Sequence, residues 1–128
     1  MKYKMDVEQA KRLIKKITAD TKSGVLEWEK AELSKNIEVK EEFQVPLTAA
    51  KEDYHFQAVL KDTAVAHLQM QGEQYYFWVE SEGDIAQLEG SLYRSPELSS
   101  NMIDLAFAIH EKTKFKLKNL IEDYLEDK

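Results

Sequence analysis

Two histidines in the middle of the chain, His55 and His67, have the clearest capacity for chemistry. Each lies in a run whose apolar and polar residues alternate, which is typical of a strand. If the two strands are antiparallel neighbours, diagonal positions on one face lie roughly 7–8 Å apart, which two imidazole rings can span. Glu80 follows on the same nominal face, and zinc binds both imidazole and carboxylate groups. His55 and His67 are therefore candidate metal ligands; the alternative is that they hydrogen-bond to neighbouring polar side chains.

Other catalytic arrangements find little support in the sequence. None of the seven serines lies in a Gly-x-Ser-x-Gly elbow, and the four glycines are not clustered as a phosphate-binding loop requires. The chain has no cysteine, which excludes thiol chemistry and disulfides. Adjacent acids such as Glu122-Asp123 have the appearance of a solvated surface. We therefore predict a protein that is not an enzyme and that needs no cofactor.

Charge and composition limit the classes of partner. The 128 residues carry a net charge of −6, although residues 1–22 contain seven Lys or Arg and only three Asp or Glu. An acidic body argues against direct nucleic-acid binding, because phosphate contacts need Lys and Arg. A nucleic-acid role through the basic segment, or by acidic mimicry of a duplex, is kept as an alternative. Without a long apolar run or a signal-peptide core, we expect a cytoplasmic protein with no membrane contact.

The beginning of the chain has a helical pattern. Apolar residues recur at spacings of three and four after Asp6, which can cap the helix, and Gly24 is suited to end it. Leu26 and Trp28 are then expected to fold back over the core. The alternation from Phe43 to Leu47 predicts an edge strand, since Pro46 cannot donate a ladder hydrogen bond.

Three strand-like runs follow: DYHFQAVL, AVAHLQMQ and EQYYFWVE. Matching apolar with apolar residues across antiparallel strands sets their register. The predicted pairs in the first hairpin are Phe56–Leu68, Ala58–Ala66 and Leu60–Ala64. The predicted pairs in the second are Leu68–Tyr75, Ala66–Phe77 and Ala64–Val79. Residues 85–89 are expected to form a fifth strand or an extended connection.

The end of the chain is helical in pattern. Ser95 and Pro96 begin one predicted helix, which extends to about Lys112, and a second begins near Phe115. The second has Leu117, Leu120, Ile121, Tyr124 and Leu125 on one side. The chain is thus predicted to be a single α+β domain over residues 1–128. It has an N-terminal helix, an antiparallel sheet of four to five strands, and two C-terminal helices packed on the sheet face that holds Phe56, Leu68 and Phe77.

The reverse face of the predicted sheet is the best functional clue. It mixes polar and aromatic side chains: His55, Gln57, Val59, Val65, His67, Gln69, Tyr76 and Trp78. Tyr and Trp are favoured anchors in protein interfaces, but they are also covered readily by other parts of a chain. We predict that Tyr76, Trp78, His67 and Val65 bind another protein. The expected function is a non-enzymatic interaction module; the alternative is an enzyme or small-molecule binder with a pocket between sheet and helices.

One resemblance supports this interpretation. Thr21, Gly24, Leu26 and Trp28 form a Thr-x-x-Gly-x-Leu-x-Trp helix exit, and the C-terminal helical pattern places Leu and Ile in its apolar positions. Together they resemble small bacterial proteins associated with Gram-positive bacteria, their plasmids and phages. The resemblance implies no known activity and supports only the α+β fold and a bacterial or mobile-element setting. In such a setting the expected interaction module would be an immunity, inhibitor or regulatory protein. The resemblance implies no catalytic residues.

Overall fold

A computed structural model describes residues 2–33, 53–71, 74–88 and 95–127 of the chain. Its helices are α1 (Val7–Lys22) and α2 (Pro96–Glu126). Its strands are β1 (Lys2–Met5), β2 (Glu29–Ala31), β3 (Tyr54–Lys61), β4 (Ala64–Gln71), β5 (Gln74–Ser81) and β6 (Asp84–Leu88).

The six strands form one mixed sheet in the order β1-β6-β5-β4-β3-β2. The α+β class is confirmed, but the expectation of a purely antiparallel sheet with four to five strands is wrong, because β1 pairs with β6 in parallel. The sequence pattern missed β1 and β2, which have four and three residues and are too short to show alternation. The strand predicted around Phe43–Leu47 lies outside the described residues.

The first hairpin has the predicted register over most of its length. Phe56 pairs with Leu68 and Ala58 with Ala66, as expected. A bulge after Val59 then shifts the ladder, so that Ala64 pairs with Lys61 rather than Leu60. A bulge adds one unpaired residue to one strand, which a simple matching of apolar positions does not anticipate.

The register of the second hairpin differs from the prediction by two residues. Leu68 pairs with Phe77 rather than Tyr75, and Ala66 with Val79 rather than Phe77. Because side chains alternate with a period of two, this shift leaves every residue on its predicted face. The predicted sheet face of each residue is therefore correct, although the predicted pairs in the second hairpin are not.

Helix α1 begins and ends as its sequence predicts. The Asp6 side chain accepts a hydrogen bond of 2.8 Å from the backbone N–H of Gln9, and Gly24 has a left-handed φ of +84° just beyond the helix. Trp28 Nε1 donates to the hydroxyl of Thr21 at 2.8 Å, which holds the returning chain against the helix. The Thr-x-x-Gly-x-Leu-x-Trp pattern thus serves here to close a helix, and Leu26 is buried in the core.

The C-terminal region is one helix of 31 residues, not the predicted pair. The charged stretch near Lys112 suggested a break, but the sequence from 97 to 127 contains neither glycine nor proline to interrupt the helix. At 1.5 Å per residue α2 is about 46 Å long. Its first half joins α1 and the sheet in one core, whose members include Ile14, Ile17, Phe56, Leu68, Phe77, Leu105 and Ile109.

Candidate functional site

The reverse face of the sheet, where sequence reasoning placed a partner-binding site, is covered. Tyr76, Trp78 and His67 are 1%, 3% and 4% exposed, and Val65 is partly buried. The interpretation in which Tyr76 and Trp78 are covered is therefore confirmed. In this conformation the predicted site residues come together on one face but leave almost no area for a partner to contact.

A row of hydrogen-bonded rings crosses this buried face from β3 to β5. His55 Nδ1 lies 2.7 Å from the carbonyl oxygen of Glu32, and His55 Nε2 lies 2.8 Å from His67 Nδ1. His67 Nε2 then approaches Glu80 Oε1 at 2.5 Å. Trp78 stacks on His67, with ring centroids 4.7 Å apart and planes 7° from parallel. The strand register produces this arrangement, since β4 pairs His67 with Gln57 on one side and with Trp78 on the other.

His55 and His67 are joined by a hydrogen bond between His55 Nε2 and His67 Nδ1. The three contacts from Glu32 to Glu80 need three shared protons, whereas two neutral imidazoles carry only two. With both rings neutral, one of the three contacts therefore lacks a proton, and His67 Nε2 has no hydrogen bond to any described residue. A metal ion bound by His55 and His67 would have to replace the contact between their rings, and the described part of the chain contains no cluster of three His, Asp or Glu that could hold a metal.

Stability is expected to fall as the pH drops below about 6.5, because His67 is buried. Burial lowers the pKa of His67 from its ordinary value of 6.5, and the nearby His55 lowers it further, although Glu80 opposes the shift. The unfolded chain then binds more protons than the folded chain below that value, so acidification favours unfolding until the folded His67 also titrates. Urea unfolding between pH 7.5 and 5 measures how steeply the free energy of unfolding changes with pH.

His67→Gln tests this assignment, because it removes the titrating ring. The variant should flatten the pH dependence of the free energy of unfolding. An unaltered slope in His67→Gln would show that another group governs the acid response.

The exposed feature that sequence reasoning missed is the second half of α2. Ile109 is the last buried residue, and every residue from 110 to 127 is exposed. We call residues 110–126 the projecting half of α2; it is about 25 Å long at 1.5 Å per residue. The expectation that Leu117, Leu120, Ile121, Tyr124 and Leu125 pack on the sheet is wrong, because the uninterrupted helix carries them away from the body.

Apolar residues follow one side of α2 on the face away from the core. The helical positions 103, 107, 110, 114, 117, 121 and 124 alternate between steps of four and three, the spacing of a coiled-coil seam. We call these positions the outer stripe. Its large apolar members are all at least half-exposed: Ile103, Phe107, Leu117, Ile121 and Tyr124. The outer stripe is thus an exposed seam with apolar residues at both ends, interrupted by His110 and Lys114 between Phe107 and Leu117.

Charge divides the projecting half into two blocks. The basic block contains Lys112, Lys114, Lys116 and Lys118, and the acidic block contains Glu122, Asp123, Glu126 and Asp127. Asn119, Leu120 and Ile121 separate the two blocks. This asymmetry is visible in the sequence, and together with the stripe it was the available signal that this end of the helix differs from a core helix.

A cleft of about 940 Å³ lies between the projecting half and the strands β3 and β2, of which β2 is at the edge of the sheet. Its lining includes the rings of Trp28, Tyr54, Phe56, His110 and Phe115. The ring of His110 meets those of Tyr54 and Phe56 edge-on, at 4.8 and 5.4 Å between centroids. These contacts fix the base of the projecting half against the sheet.

Comparisons with protein-family models, curated proteins and solved structures find no match to this chain. Within the described ranges, neither helix has the length and apolar character needed to cross a membrane.

Proposed function

We propose that the protein is a non-enzymatic protein-interaction module of the bacterial cytoplasm, and that it binds through the projecting half of α2. The observation that carries this proposal is the outer stripe, whose apolar side chains are exposed although they recur with the spacing of a buried seam. Contiguous exposed apolar surface on a folded protein marks a contact site more often than isolated apolar residues do. A role as an immunity, inhibitor or regulatory protein fits such a module.

The energetics of the helix support a bound partner. Helices of fewer than about 12–15 residues are marginal alone in water, and most helical stability in proteins comes from packing an apolar face. His110 packs on Tyr54 and Phe56, but residues 111–126 are all exposed and receive little such packing from the rest of the described chain. A partner that covers Leu117, Ile121 and Tyr124 stabilises the helix and removes apolar area from water.

The form of the stripe favours a helical partner. Alternating steps of three and four keep a seam facing a second helix, with each side chain fitting between four residues of that helix. Lysine and acidic side chains flank the seam, as expected for an interface with a polar rim. The function therefore rests on a helix-to-helix contact rather than on the covered sheet face.

A co-purification experiment with matched variants tests the proposal. Affinity-tagged chain is incubated with lysate from cells that also express a differently tagged second copy. We expect Leu117→Ser/Ile121→Ser to retain at least tenfold less of the specifically bound polypeptide than the unaltered chain does. This holds whether the polypeptide is another protein or the second copy. The control Asn119→Ser alters the same helix on the side away from the outer stripe and should retain it. Equal retention by both variants would contradict the proposal.

A second candidate, a small-molecule binder, is favoured by the cleft beside the projecting half. Its volume lies within the range of about 300–1,000 Å³ typical of ligand sites, and its lining is rich in aromatic side chains. Saturable fluorescence of an anilinonaphthalene sulfonate probe that is lost in Phe115→Ser would support this function. Weak, non-saturable fluorescence would contradict a small-molecule site in the cleft.

A further inference from the structure

We infer that the partner of the projecting half is a second copy of this chain, paired antiparallel along the outer stripe. This inference rests on the proposed function and adds the identity and direction of the partner. It is carried by the order of charges along the helix, by the symmetry of the apolar positions, and by the location of the folded body at one end of α2.

The charge order makes the helix complementary to itself in one direction only. In an antiparallel pair centred near Asn119, the basic block at 112–118 of each copy faces the acidic block at 122–127 of the other. In a parallel pair in register, lysines face lysines and acids face acids. Most of these charges lie on the sides and back of the helix rather than beside the outer stripe, so they act through the overall attraction between oppositely charged helix halves, not through contacts across the seam.

The positions of the apolar residues are also consistent with a twofold axis near Asn119. Antiparallel pairing about Asn119 brings Leu117 of each copy against Ile121 of the other, and brings the two Leu120 side chains together near the axis. These contacts obey the rule of a twofold interface, in which residue i meets residue j and j meets i. Leu117, Leu120 and Ile121 are each more than half exposed in the single chain, so all three have area to bury.

The location of the folded body is compatible with antiparallel pairing of the two helices. The buried part of α2 ends at Ile109, so the sheet and α1 lie at the N-terminal end of the projecting half. An antiparallel pair places the two bodies at opposite ends of the shared seam. A parallel pair places them side by side, where two bodies with the same net negative charge repel one another.

The size of the seam predicts a reversible dimer. Stable complexes usually bury about 800 Å² on each partner, and a pair of 17-residue helices lies toward the small end of that range. We expect sedimentation equilibrium of the purified chain to show masses that rise with concentration from 14.9 kDa toward twice that value. Leu117→Ser/Ile121→Ser should remain monomeric throughout, whereas Asn119→Ser should still associate.

Charge reversal tests the complementarity of the blocks. One variant changes all four lysines of the basic block to Glu, and the other changes all four acids of the acidic block to Lys. Each variant alone is expected to be monomeric, since its projecting half carries charge of one sign. An equimolar mixture should form heterodimers. Salt above about 0.5 M should weaken the heterodimer, because screening shortens the reach of exposed charges.

Spin-label distances determine the direction of the pair. The chain has no cysteine, so Glu111→Cys, Lys118→Cys and Leu125→Cys each provide one labelling site beside the outer stripe. Antiparallel pairing about Asn119 predicts a short distance between labels at 118 and an axial separation of roughly 18 Å or more at 111 and 125. Equal distances at all three positions would overturn the antiparallel inference.

The outcomes separate this inference from the proposed function. A chain that is monomeric at every concentration, yet retains another polypeptide only when the outer stripe is intact, overturns self-pairing and leaves the interaction module standing. A monomeric chain whose retained polypeptides do not depend on the stripe overturns both. A dimer that persists in Leu117→Ser/Ile121→Ser places self-association elsewhere and also overturns the inference.

Discussion

Replacing Trp78 by alanine is expected to lower the free energy of unfolding by about 3–5 kcal/mol, the usual cost of emptying a buried tryptophan site. Trp78 is 3% exposed and stacks on His67, so its removal leaves a cavity and also removes the ring that covers the row from His55 to Glu80. A domain of this size has a total stability of about 5–15 kcal/mol, so the variant should be severely destabilised. Urea unfolding followed by circular dichroism measures the loss.

Tyr124→Ala is the matched control for Trp78→Ala. Tyr124 is also a large aromatic residue, but it is 80% exposed, and its removal should change the free energy of unfolding by less than about 0.5 kcal/mol. The pair of variants decides which aromatic surface is structural and which is free to bind. A Trp78→Ala protein of normal stability would mean that the reverse face of the sheet is open after all.

Leu105→Ala and Leu120→Ala are expected to differ strongly, although both remove the same side chain from the same helix. Leu105 is fully buried in the core, and its truncation should cost about 2–5 kcal/mol. Leu120 is 57% exposed on the projecting half, and its truncation should cost well under 1 kcal/mol in the monomeric chain. Chemical unfolding at a concentration that keeps the chain monomeric provides the comparison.

The result for Leu120→Ala also tests the form of α2. A loss similar to that of Leu105→Ala would mean that the C-terminal residues fold back and pack on the body, as two separate helices would. A small loss supports one continuous helix whose second half stands clear of the core. If the chain pairs through the projecting half as proposed, repeating the measurement at high concentration should raise the cost of Leu120→Ala, because pairing adds to the stability of the folded state.

The faces of the central strands could be predicted because alternation has a period of two. The predicted second hairpin was displaced by two residues, yet Phe77 and Leu68 still lie on the same face. The first helix was also predictable, since Asp6 and Gly24 act through local backbone geometry. These features depend on residues near one another in sequence or on a strict period.

The short strands β1 and β2 could not be predicted from local pattern. Strand β1 gains its hydrogen bonds from β6, more than 80 residues away, and only that pairing makes four residues into a strand. Polar residues on the reverse face were equally ambiguous, because a glutamine or histidine is buried stably only when the fold supplies hydrogen-bond partners. His55 and His67 become core residues through partners that only the tertiary structure brings together.

The apolar side of the C-terminal helix was expected to pack on the sheet, and this expectation was wrong for a related reason. The spacing of Leu117, Ile121 and Tyr124 correctly predicted a helix with an apolar side. Spacing alone does not say whether that side is covered by the same chain or by another one. The division of charge between Lys112–Lys118 and Glu122–Asp127 is the sequence feature that favours an exposed surface over a core, and the proposal of an interface rests partly on it.

The most direct test of a binding surface on the projecting half is the thiol reactivity of single cysteines along α2. The natural absence of cysteine makes each engineered thiol the only one in its protein. Cysteines at 102, 105 and 109 should react slowly at every protein concentration, whereas those at 117, 121 and 124 should react fast in dilute protein and more slowly as it is concentrated. Slow reaction at all six positions in dilute protein would contradict an exposed seam, because it would mean that the chain itself covers Leu117, Ile121 and Tyr124.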